Sequence, residues 1–268
     1  MFDSYKRQIN YLRVSVTDRC NLRCRYCMPA AGIKLKSHSA ILSYEQIITI
    51  VQAAAELGIG KIRLTGGEPL VRKNIAFLIR ELKAIPGISE VSMTSNGTRL
   101  DLLAGDIHAA GLDRLNISLD TLEAGKYRQI TRNGDIERVF SGIDQALKQG
   151  FKQIKINMVL LPGFNHNETE NIKRFCLERG LVLQRINHYS LHNLASAGQG
   201  FTAERPLPCN ICNRLRLTAD GKLKPCLFSN LEFAVDFQQV KTSLEKAIAS
   251  KPAHGSHCSN RENWQIGG

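Results

Sequence analysis

Two periods alternate along this chain. From Tyr11 to His188, short apolar runs that repeat every second residue take turns with longer stretches of helical period. Strands are expected at 11–16, 61–65, 90–95, 114–119, 153–160 and 182–188. Amphipathic helices are expected near 43–57, 73–84, 100–110, 136–149 and 168–179. Gly58, Gly60, Gly87, Asn96-Gly97, Gly150 and Gly163 punctuate the joins. Alternating β and α segments predict a parallel sheet with right-handed crossovers. Six such units predict an α/β fold, an incomplete (β/α)6 TIM-like barrel.

The strands carry a second pattern. Arg13, Ser15 and Thr17 share one parity, and Leu12, Val14 and Val16 the other. Lys61, Arg63 and Thr65 alternate with Ile62 and Leu64; Asn116, Ser118 and Asp120 with Leu115, Ile117 and Leu119; Lys155 and Asn157 with Ile154, Ile156 and Met158. Arg185 and Asn187 also share a parity. Strand side chains point alternately to opposite faces, so each of these strands has one apolar and one polar face. The apolar faces are needed against the helices. The polar faces then line a wet, cationic lumen that suits an anionic ligand. An antiparallel sheet with one face in solvent would show the same alternation, but the intervening helices argue against it.

Composition changes this picture little. The 268 residues are 43% hydrophobic, enough for a sizeable core. There is no apolar run of membrane-spanning length and no secretory signal, so a cytoplasmic location is the default expectation. The net charge of +12 calls for an anionic partner. The basic residues form neither a tail nor a single stripe, and aromatics are only 6%, which argues against a stacking platform for nucleic acid. Arg13, Lys61, Arg63, Lys155 and Arg185, converging in the lumen, account for part of the charge.

Candidate chemistry begins at Cys20-Asn-Leu-Arg-Cys24-Arg-Tyr-Cys27. Thiolates are soft ligands for zinc, copper(I) or iron–sulfur clusters. A cubane normally takes four cysteines, so three would leave one iron open to a small molecule. A zinc site or buried free thiols are the alternatives. A second set, Cys209, Cys212 and Cys226, brackets a hairpin signal with Asp220-Gly221 at its turn. It fits a second open cluster, or a zinc with a fourth ligand from elsewhere. Cys176 reads as a small buried hydrophobe, and Cys258 has no assigned role. After the second strand, Thr65-Gly66-Gly67-Glu68-Pro69 offers backbone approach and a carboxylate acceptor at a barrel's active end. Thr94 and Ser118 end the third and fourth strands on the polar parity.

The first cysteine spacing, its Ser-Val-Thr-Asp-Arg and Met-Pro flanks and the Gly-Gly-Glu-Pro loop resemble the radical SAM superfamily. With Lys61-Ile-Arg63, Lys155, Arg185, the Cys209–Cys226 run and the terminal Gly267-Gly268, nearly the whole chain resembles the GTP 3′,8-cyclases of molybdenum-cofactor biosynthesis. The resemblance implies two 4Fe–4S clusters, on Cys20, Cys24 and Cys27 and on Cys209, Cys212 and Cys226. It implies S-adenosylmethionine held by Gly66, Gly67, Glu68, Thr94, Ser118 and Arg63. It places Arg13, Lys61, Lys155, Arg185, Arg214 and Arg216 around GTP, with guanine at the second cluster. Gly267, Gly268, Arg214 and Arg216 are the implied catalytic residues. The implied reaction takes a hydrogen from ribose C3′ and joins C3′ to guanine C8, the first step of molybdopterin formation. Implied partners are an electron donor such as flavodoxin or ferredoxin and a downstream cyclic pyranopterin monophosphate synthase; homodimerisation is left open.

The chain departs from the family between Arg185 and Cys209, where the segment is shorter than usual and reads Asn187-His188-Tyr189-Ser190 in place of the family's Glu and Met-Pro. A sibling radical SAM enzyme acting on another nucleotide or a peptide is therefore the alternative. Two regions are expected: a barrel over 1–188 and a C-terminal region over 189–268, whose first part, 189–208, reads as loop. Terminal glycines usually fray. Here Trp264 and Ile266 are expected to anchor a tail that carries Gly267 and Gly268 toward the nucleotide.

Overall fold

The computed structural model describes residues 1–191, 203–204 and 206–267. Strand and helix alternate as β1 (Tyr11–Ser15), α1 (Tyr44–Glu56), β2 (Lys61–Thr65), α2 (Ile75–Ala84), β3 (Glu90–Ser95), α3 (Leu100–Ala109) and β4 (Arg114–Ser118). Two helices, α4 (Ala124–Thr131) and α5 (Ile136–Lys148), precede β5 (Ile154–Leu160), and α6 (Thr169–Glu178) precedes β6 (Val182–Asn187). The strands β7 (Arg214–Leu217), β8 (Lys222–Lys224) and β9 (Phe233–Ala234) follow, then α7 (Val240–Ala249) and the short α8 (Asn263–Ile266).

Local sequence explains most of these elements. Ser43 opens α1 with a capping box to Gln46, and Ile47, Ile50, Val51 and Ala54 bury one face at helical spacing. The apolar parity of β1 to β5 packs outward: Leu12, Val14, Ile62, Leu64, Ile154 and Ile156 are all essentially inaccessible. The parallel run β6-β5-β4-β3-β2-β1 curls into an open partial barrel with the helices outside. This is the expected fold.

Several features were not expected from local pattern, the short β9 and α8 among them. α4 is too polar to show a clear apolar stripe. α7 lies beyond the hairpin and packs against α1. Most consequentially, β7 continues the sheet, pairing parallel to β1 with Arg13 opposite Arg216. The expected hairpin forms between β7 and β8, closed where Thr218 N–H donates to the Lys222 carbonyl at 2.8 Å. The nine strands therefore form one sheet in the order β6-β5-β4-β3-β2-β1-β7-β8-β9.

Candidate active site

The inner face of the barrel encloses a cavity of about 480 Å³, a size suited to a small-molecule ligand. Register sets its charge. Arg63 on β2, Arg13 on β1 and Arg216 on β7 lie side by side at one level of the sheet. The next level carries Lys61, Tyr11 and Arg214. The guanidinium groups of Arg63 and Arg214 lie 5.7 and 5.9 Å from the Tyr11 ring centre, where cation–π attraction holds them. Burial, and then the charge of Arg216 beside it, bring the Arg13 guanidinium down to about 9. The Nε atoms of Arg63 and Arg214 are buried without a hydrogen-bond partner. Lys155 completes the cationic wall from β5, next to Asn116 on β4. Like charges this close favour an anion opposite them.

Arg185 corrects the expected geometry. It pairs in register with Met158, whose side chain is in the core, and it does not line the cavity. Its guanidinium binds Glu204, with Nη2 to Oε1 at 2.6 Å. Gln184 and Ile186 take the inward positions instead. A lumen-facing Ile and outward Arg mean that polarity alone assigns the wrong face on this edge strand.

The first cysteine loop follows β1. The N–H groups of Cys27 and Met28 both donate to the Cys24 carbonyl at 2.9 Å, which coils the loop. The C-terminal end of α4 holds it from outside: Arg25 N–H donates to the Ile130 carbonyl at 2.9 Å and Arg23 N–H to that of Thr131 at 3.2 Å. Arg132 Nη1 donates back to the carbonyls of Arg23 and Met28, each at 2.7 Å. Cys20, Cys24 and Cys27 all line the cavity. Burial pushes the Cys20 thiol up to about 11; burial and the Cys20 charge push Cys27 up to about 12. Burial and then Asp120 raise the Cys24 thiol well above its ordinary value. The three thiols thus act on one another's charge, and a metal group would remove the penalty, since a coordinating thiol is deprotonated outright. This donor set fits an iron–sulfur cluster.

The Gly66-Gly67 loop lies flush on that loop. A Cβ on Gly67 would overlap the Arg19 carbonyl, and the Gly67 N–H donates to the Thr17 carbonyl at 2.8 Å. Only glycine permits this approach. Glu68 lines the cavity, yet its carboxylate already accepts from Leu70 N–H, Ser95 Oγ and Asn96 N–H at 3.0, 2.8 and 2.6 Å. Burial outweighs those donors and raises its carboxyl to about 7. Thr94 and Ser118 face the cavity, and Arg63 Nη1 donates to Thr94 Oγ1 at 3.4 Å.

The second set of cysteines lies at the other end of the same strands, and none of the three lines the cavity. Cys209 and Cys212 form one turn, with Cys212 N–H donating to the Cys209 carbonyl at 3.2 Å. Cys226 follows β8; burial raises its thiol, and Cys212 and Cys209 are among the charges that act on it. Among the described residues, no three His, Cys, Asp or Glu side chains are grouped so as to hold a metal ion. Cys258 is fully buried, with its Sγ 3.3 Å from Asn260 Oδ1, in the small apolar cluster against which Cys226 packs. Cys212 sits just before Arg214, which is level with Tyr11 at the start of β1, whereas Cys20 lies beyond the end of β1. Parallel pairing therefore puts the two triads at opposite ends of one strand pair.

Gly267 enters this space. Its carbonyl accepts from Arg216 Nη1 at 2.9 Å, and its φ of +74° places a would-be Cβ against Thr65 Oγ1. Ile266 anchors it in a small cluster with Leu191, Phe228 and Cys258. Trp264 is half-buried, and Gly268 lies outside the described residues, as does most of the expected 189–208 loop.

Sequence reading missed Tyr26, and it placed Asp120 on the polar parity without giving it a role. Tyr26 Oη donates to Asp120 Oδ2 at 2.8 Å inside the cavity wall, and burial raises the Asp120 carboxyl to about 6. An aromatic residue set between two candidate ligands was the available signal. It also missed Asn263, whose Oδ1 is buried without a partner at the cavity.

The profile of the radical SAM superfamily matches residues 14–176. A GTP 3′,8-cyclase of Moorella thermoacetica is 41% identical over an alignment of 324 positions that covers 100% of both chains. That alignment is longer than the 268 residues here, so the relative carries sequence this chain lacks. A GTP 3′,8-cyclase of Peptoclostridium acidaminophilum is 42% identical over 276 positions, covering 87% of this chain and 84% of its own. Among solved structures, Streptococcus suis SuiB bound to its precursor peptide SuiA superposes with a TM-score of 0.67 at 15% identity, over 92% of this chain and 66% of that one. Native anSMEcpe with bound AdoMet does so with 0.64 at 14% identity, over 91% and 81%. At these identities the structures show the shared fold.

Proposed function

The chain belongs to the radical SAM superfamily and, within it, to the GTP 3′,8-cyclases, and from that membership we propose how its residues divide the reaction. It is a lyase of molybdenum-cofactor biosynthesis that converts GTP to (8S)-3′,8-cyclo-7,8-dihydroguanosine 5′-triphosphate. Its cofactors are 4Fe–4S clusters and S-adenosylmethionine. When bound, they supply the electron and the radical that removes hydrogen from ribose C3′.

Cys20, Cys24 and Cys27 hold the first cluster, and Cys209, Cys212 and Cys226 the second. Gly66, Gly67, Thr94, Ser118 and Arg63 form the S-adenosylmethionine side of the cavity. Glu68 has three donors already, and a carboxylate can accept about one more, from an ammonium group. Arg13, Lys61, Lys155, Arg214 and Arg216 receive the triphosphate through charge-assisted hydrogen bonds. Arg185 is left out, because Glu204 already neutralises it away from the cavity. The tail closes the site against water and limits how the ribose lies. Binding at both ends of one strand pair turns hydrogen transfer into a step between fixed partners.

The observation that carries this reading is the row Arg63, Arg13 and Arg216 between two cysteine triads. Anaerobic turnover with each nucleoside triphosphate tests it. GTP alone should give 5′-deoxyadenosine together with a cyclised product. A second reading rests on the stretch that this chain lacks and on the replacement His188-Tyr189 at the cavity. On that reading the substrate is a different nucleotide or a peptide, and the same panel gives product with another triphosphate or with none. The proposed partners are a flavodoxin- or ferredoxin-class electron donor and a cyclic pyranopterin monophosphate synthase. No helix of the described residues is long and apolar enough to cross a membrane, and we place the enzyme in the cytoplasm.

A further inference from the structure

The first ten residues have no part in the site described so far, yet they hold a buried guanidinium against it. Arg7 is 8% exposed. Its Nε pairs with Asp3 Oδ2 at 2.6 Å, and the Asp3 side chain is fully buried. Nη1 donates to the carbonyl of Cys209 at 2.8 Å and of Ala253 at 3.1 Å; Nη2 donates to the Pro252 carbonyl at 2.7 Å. The segment is built to aim this side chain. Asp3 Oδ1 also accepts from the N–H groups of Tyr5 and Arg7, both at 2.9 Å, and Phe2 bridges to Gln8. Lys6, between them, has a φ of +61°, a conformation rarely adopted by residues with a Cβ.

Lys251 does the same at the other end of the loop. It is 3% exposed, and its Nζ donates to the carbonyl of Pro225 at 2.6 Å and of Arg214 at 2.9 Å. Pro225 precedes Cys226. The carbonyl of one cysteine and the carbonyl just before another are therefore gripped by buried cations from segments 202 and 26 residues away.

A buried ion pair is a poor source of net stability, because desolvation cancels most of the attraction. Backbone strain that persists at one residue points to a role for what it positions. We infer that Arg7, with Lys251, is a positioning residue for the second cysteine site, restricting where the backbone at Cys209 and Cys226 can lie before iron arrives. The inference rests on the reading that Cys209, Cys212 and Cys226 bind a cluster. Its chemistry is plain: Lys251 adds positive charge beside the anionic sulfurs, the charge of Arg7 being offset by Asp3, and the carbonyl grips reduce the chain entropy lost on ligation.

The test uses the full chain reconstituted anaerobically with iron and sulfide. The parent should hold about eight irons, as expected of two cubanes. In Arg7→Ala, the second cluster should release iron to a chelator roughly tenfold faster, a factor worth 1.4 kcal/mol at the transition state. The first cluster's reduced electron-paramagnetic signal and uncoupled cleavage of S-adenosylmethionine should match the parent. In the metal-free protein, amide hydrogen exchange at 209–212 should rise in Arg7→Ala while β1 to β6 stay protected. Arg7→Lys should recover part of both effects; Asp3→Asn, which keeps the guanidinium but loosens its aim, should show them more weakly and serves if Arg7→Ala does not fold. Parent-like iron release and parent-like exchange in the variants would overturn the inference. A parent that itself holds only about four irons would overturn the cluster reading instead, while the exchange measurement still decides whether Arg7 organises the loop.

Discussion

The carbonyl of Gly267, next to last in the chain, accepts a 2.9 Å hydrogen bond from Arg216 Nη1, and Arg216 sits opposite Arg13 on the neighbouring strand. One arginine thus faces both the proposed triphosphate site and the tail. Deleting Gly267 and Gly268 should leave iron content and uncoupled cleavage of S-adenosylmethionine intact while cyclised product falls sharply. Gly267→Ala should lower product by roughly tenfold or more, since a Cβ would meet Thr65 Oγ1 and the left-handed φ would be strained. A truncated enzyme that cyclises GTP at the parent rate removes the tail from the mechanism.

The two triads should fail differently. Cys24→Ala should abolish S-adenosylmethionine cleavage. Cys212→Ala should retain uncoupled cleavage and lose cyclised product, because only the first triad adjoins the S-adenosylmethionine side of the cavity. Assays of 5′-deoxyadenosine and of product on the same samples distinguish them. Normal product from a Cys212→Ala sample lacking its second cluster would reverse the assignment.

The cationic row predicts salt-sensitive binding. GTP affinity should fall as ionic strength rises past 0.1 M, where screening reaches about 10 Å. Arg216→Ala should weaken GTP binding more than Arg185→Ala, since Arg185 is paired with Glu204 outside the cavity. Equilibrium binding of GTP to each variant gives the comparison, and a larger loss in Arg185→Ala contradicts the placement.

Acid should release the tail's anchor. Arg261 joins Asp220 and Glu232, with Nη1 to Asp220 Oδ2 at 2.9 Å. Burial pushes the Asp220 carboxyl up, but the Thr218 hydroxyl and Arg261 outweigh it and bring it down to about 2 from 3.8. A carboxyl depressed in the folded state stabilises above its unfolded pKa and loses that contribution as pH falls through the folded value. Stability from Asp220 is therefore complete above about pH 4 and lost toward pH 2. Asp220→Asn should be less stable than the parent at neutral pH, and the gap should narrow across that window in acid-unfolding curves. A gap that stays constant with pH excludes the ion pair as its source.

Periodicity made the barrel legible. The β1 and β2 parities placed Arg13, Lys61 and Arg63 in the lumen because their alternate neighbours, such as Leu12 and Ile62, have only the helices to pack on. The same reasoning failed at β6, where Ile186 faces inward and Arg185 finds Glu204 outside. An edge strand has one neighbour and partial solvent on its outer face, so an arginine is tolerated there. The parallel pairing of β7 with β1 was hidden for another reason: it joins residues 203 apart, and nothing local records it. The reach of Arg7 to the second cysteine loop was hidden likewise, because its acceptors there are carbonyls, which every residue possesses.

The pairing of β1 with β7 also has a metric consequence. With the two triads fixed beyond opposite ends of one strand pair, the gap between them is set by main-chain rise, roughly 3.3 Å per residue. Side-chain motion alters that gap little. The barrel wall then behaves as a caliper with fixed jaws. A substrate is accepted for the distance it can bridge as well as for the groups it presents. One residue inserted into β1 would turn Arg13 outward and widen the jaws in a single step.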